Sequence, residues 1–225
     1  AAVTRQAAAI AAEHVLGALE NETARIGRAL TLDETATPPS QALRVLWEEQ
    51  RQLDAELTAS IAASSPGEAH RRVLLTAAAR LGATRRRDAD LAYDNAEQFL
   101  GDLRVVQESL VAAGAFRAAY GDLQDLIWQT ETFGFHLTEL EVRQHSQVHR
   151  ETLAWLRDST VTTSIDPTEV LETFRTIAAI QRRHGQAACR RYIVSFTRSS
   201  RDIADVYRLA AMAVPTGAPV LDVIP

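Results

Sequence analysis

At 225 residues, 46% of them apolar and 24% charged, the chain has the composition of a soluble globular protein and the length for one large domain or two small ones. A formal charge of −5 speaks against a nucleic-acid partner, whose phosphate backbone calls for a basic surface. No apolar run approaches the roughly 18 residues of a membrane span, and Cys189, the single cysteine, excludes an internal disulfide and points to a reducing, cytoplasmic setting.

The first two-thirds read as helices. Ile10, Val15, Leu16, Leu19, Ile26 and Leu30 form a stripe at helical spacing, ended by Pro38-Pro39. Ser40 caps a second helix carrying Leu43, Leu46, Trp47, Leu53 and Leu57. Ser65-Pro66-Gly67-Glu68 has the form of a helix start, with a hydroxyl cap, a proline at the first position and a glutamate three residues on. Asp94-Asn95-Ala96-Glu97 repeats that logic ahead of Phe99, Leu103, Val106 and Leu110, and a further helix follows with Leu123, Leu126, Ile127 and Trp128 on its apolar side. Trp47, Trp128 and Trp155 all fall at apolar helical positions and are expected in the core.

The pattern then changes. Strands are expected near 136–143, 191–196 and 220–224, with aliphatic content suited to burial on both faces. Asp166-Pro167 opens a helix between the first two, and Ser199-Ser200-Arg201-Asp202 opens one between the second and third. Strand, helix, strand, helix, strand means parallel strands with right-handed crossovers. Three strands fall short of the eight that close a barrel. The expected fold is therefore mainly α: a helical region over 1–132, then a partial (β/α)-barrel segment over 133–225 that belongs to a larger barrel.

In parallel barrels the chemistry sits at the carboxyl ends of the strands. Arg143, expected to end the first strand, is the leading candidate, because a guanidinium binds phosphate or carboxylate with paired hydrogen bonds. The bland alternative is an ion pair with a neighbour such as Glu141. His145 and His149 are four apart, as in a metal pair, but lack the glutamate of H-E-x-x-H. Hydrogen-bonding histidines near a pocket fit the pattern better, and no metal site is expected within this chain. The arginine clusters at 85–87, 182–183 and 190–191 read as solvated helix ends.

Leu140-Glu141-Val142-Arg143-Gln144-His145-Ser146-Gln147-Val148-His149 resembles the L-[DE]-[IV]-R-Q-[EH]-S-x-x-H segment of phosphoenolpyruvate carboxylases. Ala119 to Gly134 is similar to the helix and turn preceding it in bacterial members. Tyr192-Ile193-Val194-Ser195-Phe196 resembles the later Y-[IV]-[IV]-S-[MF] strand, with Asp202 and Val206 in the following helix, and Val220 to Pro225 resembles the strand leading into P-L-F-E-T. The resemblance implies a cytoplasmic lyase, usually a homotetramer built on a TIM barrel. It condenses phosphoenolpyruvate with bicarbonate to give oxaloacetate and phosphate, an anaplerotic carbon dioxide fixation that uses Mg²⁺ or Mn²⁺.

It assigns Arg143 to the substrate phosphate and Gln144, Ser146, His149 and Ser195 to a supporting shell, and it leaves the role of His145 open. The family's T-A-H-P-T, G-G-D-R-D-G-N-P, L-F-E-T, G-Y-S-D-S and F-H-G-R-G-G segments do not occur in these residues. No catalytic residue is therefore expected within the stretch, and the stretch alone is expected to be inactive. Two other readings compete: a helical scaffold without chemistry, and a different barrel enzyme acting on phosphoenolpyruvate or pyruvate. The scaffold reading makes Arg143 a stabilising ion-pair partner, whereas bicarbonate dependence separates a carboxylase from its barrel relatives.

Overall fold

The computed structural model describes residues 2–225, with side chains from Thr4 onward. The fold is mainly α, with one small parallel sheet. Contacts divide it into two compact units, Ala12–Phe135 and Ala1–Ala11 together with His136–Pro225.

The first unit is helical. It contains most of α1 (Ala2–Ala29), then α2 (Gln41–Leu53), α3 (Ala55–Ser64), α4 (Ala69–Arg86), α5 (Ala96–Ala112), α6 (Phe116–Ala119) and α7 (Asp122–Phe133). Its core joins the expected stripes: Val15, Leu16, Leu19, Leu43, Leu46, Phe99, Leu103, Val106, Leu110, Leu123 and Leu126 are all buried in one cluster. Two caps form as the sequence dictates, with the Ser40 hydroxyl accepting from Leu43 N and the Asn95 side-chain Oδ1 accepting from Gln98 N.

Elsewhere local chemistry redraws the boundaries. The second expected helix is two helices, because Asp54 takes an extended conformation (φ −151°, ψ 98°) and its carboxylate caps Leu57 N of α3. Ser65 closes α3 rather than opening α4; Gly67 turns left-handed (φ 69°), and α4 begins at Ala69 without a side-chain cap. Trp128 is 58% exposed, so α7 turns it away from the core, and Ile10 is likewise exposed. Trp47 is half-buried beneath the Arg72 guanidinium, 5.4 Å from the ring centre.

One charged group is buried in this unit with its partners. Asp102 accepts from Arg80 Nη1 at 3.1 Å and from the Tyr93 hydroxyl at 2.7 Å, while the Arg80 guanidinium lies 3.7 Å from the Tyr93 ring centre and donates through Nε to Leu91 O. This ties α4 and α5 to the loop between them. Burial pushes the Asp102 carboxyl up, against the opposing pull of Tyr93 and Arg80.

The second unit places three strands, β1 (Glu141–His145), β2 (Arg191–Ser195) and β3 (Asp222–Ile224), in one parallel sheet of order β1-β2-β3. Helices α8 (Ser146–Trp155) and α9 (Pro167–His184), with a short 3₁₀ turn at Gln186–Cys189, connect β1 to β2. Helix α10 (Ser200–Ala213) connects β2 to β3. Asp166 caps α9 with proline at its first position, and Ser199 with Asp202 forms a reciprocal capping box on α10. This is the strand–helix alternation of an incomplete (β/α) barrel.

The strand limits shift from those expected. β1 starts at Glu141 rather than 136, because Leu137 is left-handed (φ 66°) and Thr138 N bonds back to His136 O in a turn. It runs on to His145, which pairs with Ser195, so Arg143 lies within the strand instead of ending it. β2 stops at Ser195, because Phe196 is left-handed (φ 59°). β3 begins at Asp222: the Gln181 amide clamps both the N–H and the carbonyl of Val220, and the Leu221 carbonyl accepts from the Tyr207 hydroxyl.

Breaking the buried Arg80–Asp102–Tyr93 set should unfold the helical unit more easily. Asp102→Ala strands a buried guanidinium and is expected to cost roughly 3–5 kcal/mol, against about 1–2 kcal/mol for Tyr93→Phe. Urea denaturation followed by circular dichroism checks both; equal costs would mean that the carboxylate–guanidinium pair contributes nothing special.

Candidate functional site

Side chains alternate across a strand, so each strand of this sheet presents one residue set to each face. On one face Tyr192 and Val194 are buried in a cluster with Phe174 and Ile177 of α9 and Val206 and Leu209 of α10, and Val142 and Val223 pack against it. The helices therefore cover that face. The other face carries Glu141, Arg143 and His145 of β1, Arg191, Ile193 and Ser195 of β2, and Asp222 and Ile224 of β3, all exposed or half-buried. Alternation thus sets Arg143, His145 and Ser195 on the uncovered face, toward its carboxyl end.

Arg143 is held there by its neighbour strand. Its Nε donates to the Ser195 hydroxyl at 2.9 Å, a diagonal contact across the β1–β2 ladder. That bond uses one of five guanidinium donors. Among the described residues Arg143 forms no ion pair, with Glu141 or any other carboxylate, so both Nη groups remain without a protein acceptor.

The exits of the two strands are tied together. The Ser146 hydroxyl donates to Phe196 O at 2.8 Å and accepts from Arg150 Nη1 at 3.3 Å. Arg150 also pairs with Asp202, whose other oxygen accepts from the backbone N–H groups of Arg198 (2.9 Å) and Ser199 (3.1 Å). These N–H donors, with the Arg150 guanidinium, hold the Asp202 carboxyl below the usual carboxylate range. Gln144 lies on the helix-covered face, half-buried, and its side-chain oxygen accepts from His145 N at 2.8 Å.

The two histidines part company. His145 is the N-cap of α8: its Nδ1 accepts from Gln147 N at 3.0 Å, and its ring stacks on Phe196 with centres 4.6 Å apart. His149 is fully buried, with Nε2 hydrogen-bonded to the Tyr192 hydroxyl at 2.9 Å and Nδ1 without a protein partner. Tyr192 stacks in turn on Phe174. Burial lowers the His149 pKa to about 4, so the ring is neutral near neutral pH. Among the described residues no three His, Cys, Asp or Glu side chains assemble as a metal site. Cys189 is buried and its thiol is pushed up to about 11, which makes it unreactive.

Of the residues singled out from the sequence, Arg143, Ser195 and Ser146 meet at the strand exits, while Gln144 and His149 stand behind them on the helix side. Arg150 was not singled out, and Phe196 only as part of the motif that ends β2. Arg150 follows Ser146 by one helical turn, a spacing that foretells the contact once α8 is placed. The left-handed turn at Phe196 has no sequence signal, since nothing marks phenylalanine for that conformation.

The fold and this face define a parallel (β/α) protein with a fixed, unpaired arginine near the carboxyl ends of its strands. The sequence profile of the phosphoenolpyruvate carboxylase family matches residues 1–164 and 155–225. The chain belongs to that family. It is 31% identical to the phosphoenolpyruvate carboxylase of Nitrosomonas europaea over 231 aligned positions, covering 83% of this chain and 24% of that protein. It is 30% identical over 170 positions to the one from Thermosynechococcus vestitus (59% of this chain, 16% of the relative) and 32% over 154 positions to that of Roseiflexus castenholzii (54% and 16%). The chain thus spans about a sixth to a quarter of the length of these relatives. No helix among the described residues is long and apolar enough to cross a membrane.

A buried histidine whose pKa falls on folding binds its proton more readily in the unfolded state. The stability contribution of neutral His149 is therefore complete above pH about 6.5 and is lost as pH falls toward about 4. His149→Gln is expected to flatten the stability profile across that window by roughly 2–3 kcal/mol, read from urea midpoints at a series of pH values. A profile unchanged by the substitution contradicts the buried, neutral assignment.

Proposed function

We propose that this chain supplies part of the phosphoenolpyruvate site of a carboxylase that forms oxaloacetate and phosphate from phosphoenolpyruvate and bicarbonate. The single observation that carries the proposal is the Arg143 guanidinium: it sits on the uncovered face of a parallel sheet, fixed through Nε by Ser195, with both Nη groups free of carboxylates. A guanidinium paired to a carboxylate would already be neutralised. This one is oriented and unspent, and its planar fork matches two oxygens of a phosphate.

In this role Arg143 binds the phosphate of phosphoenolpyruvate and steadies negative charge as phosphorus is transferred to bicarbonate, giving carboxyphosphate and the enolate of pyruvate. Carbon dioxide released from carboxyphosphate then carboxylates the enolate. Ser195 positions the guanidinium. Ser146 fixes the β2 exit through the Phe196 carbonyl, Gln144 ties down the β1–α8 junction, and His149 supports the sheet from behind through Tyr192.

A divalent ion, Mg²⁺ or Mn²⁺, belongs to the proposed activity of the whole enzyme. The described residues do not form a ligand set for it, and no step is derived through it. The same reading makes residues 1–132 a helical region and 133–225 a segment of a TIM barrel within a cytoplasmic homotetramer. It gives this stretch no turnover of its own.

Steady-state kinetics of the complete polypeptide carrying this chain test the proposal. Arg143→Ala is expected to lower kcat/KM for phosphoenolpyruvate by about 30- to 1000-fold, or roughly 2–4 kcal/mol, with little change in unfolding temperature. A loss of stability without loss of turnover, or oxaloacetate formation by the 225-residue stretch alone, contradicts it.

A further inference from the structure

His145 shares the open face of β1 with Arg143 two positions away, a separation of about 7 Å along the strand. Its tautomer is fixed by the backbone. Gln147 N can only donate, so Nδ1, which meets it at 3.0 Å, must accept, and the ring proton resides on Nε2. Nε2 has no acceptor among the described residues. The ring is also pinned in plane against Phe196, at 4.6 Å and 20°.

Phe196 is unusual in itself. It is a non-glycine residue at φ 59° and is 70% exposed, yet its carbonyl is tethered by the Ser146 hydroxyl. A strained conformation of this kind persists where the surroundings over-determine it, and it clusters at functional positions. Here it places an aromatic platform where it holds the His145 ring.

We propose that His145 is an anion-binding residue, its Nε2–H donating to one phosphate oxygen of a ligand whose other oxygens are taken by the Arg143 Nη groups. The inference rests on the proposed phosphate-binding role of Arg143. It adds a second, uncharged donor of fixed direction, supplied by a strand end that also begins a helix.

Two substitutions separate the donor from the cap. His145→Gln places an amide N–H near the position of Nε2 but gives up the Nδ1 cap, whereas His145→Asn keeps an acceptor near Nδ1 and gives up the Nε2 donor. Inorganic phosphate is titrated by calorimetry against the complete polypeptide and each variant, with thermal unfolding in parallel. His145→Asn is expected to weaken phosphate binding by about tenfold or more with the unfolding temperature kept, and His145→Gln to bind within about threefold of the parent. Asparagine binding like the parent, or glutamine losing stability and phosphate alike, overturns the role of His145 while leaving that of Arg143 standing. Arg143→Ala binding phosphate as tightly as the parent, or no saturable binding by the parent, overturns both.

Discussion

The site depends on one constraint: a parallel sheet covered by helices on a single face. Tyr192 and Val194 on one side of β2 are sealed beneath α9 and α10, which obliges Ile193 and Ser195 to face the other way. The same alternation on β1 sends Val142 and Gln144 to the helices and Arg143 and His145 to the open face. A one-residue slip between β1 and β2 would exchange the two sets and bury the arginine. The ladder Arg143↔Ile193 and His145↔Ser195 is therefore as much a part of the site as the guanidinium itself.

That register is guarded from several directions. The His149–Tyr192 hydrogen bond links the first turns of α8 to the buried face of β2, and the Tyr192 ring lies flat on Phe174 of α9. At the exits, Ser146, the Phe196 carbonyl, Arg150 and Asp202 connect the start of α8 to the start of α10. These contacts are short-ranged, and they leave the open face unencumbered. Further ion pairs, Arg191 with Glu139 and Arg190 with Asp222, lie at the strand starts, and the Arg143 Nη donors are drawn into none of these contacts.

Much of this was legible in the sequence, for identifiable reasons. The parallel order of the strands followed from their alternation with helices, and the α5, α9 and α10 starts from side-chain oxygens that can reach only backbone N–H groups of a first turn. Arg143 stood out because a guanidinium expected at the carboxyl end of a barrel strand sits where such folds place their chemistry. What stayed hidden depended on backbone choices that side-chain type does not dictate. Asp54 splits one apolar stripe into two helices, and Gly67 converts an apparent helix start into a turn. The left-handed Leu137 and Phe196 reset the strand ends. Position relative to the strand end mattered most: His145, not Arg143, closes β1, and that gives the histidine its cap and its stacking partner. The exposure of Trp128 was hidden in the same way, since periodicity identifies a helix more surely than it decides where each apolar residue points.

Chemical protection reads directly whether the Arg143 guanidinium is the phosphate-binding group of this face. Phenylglyoxal modification of the complete polypeptide, followed by peptide mass spectrometry, is measured with and without phosphoenolpyruvate. Ligand is expected to slow modification at Arg143 selectively, with the exposed Arg157 and Arg201 reacting at unchanged rates as internal controls. Equal rates at Arg143 in both conditions would contradict it.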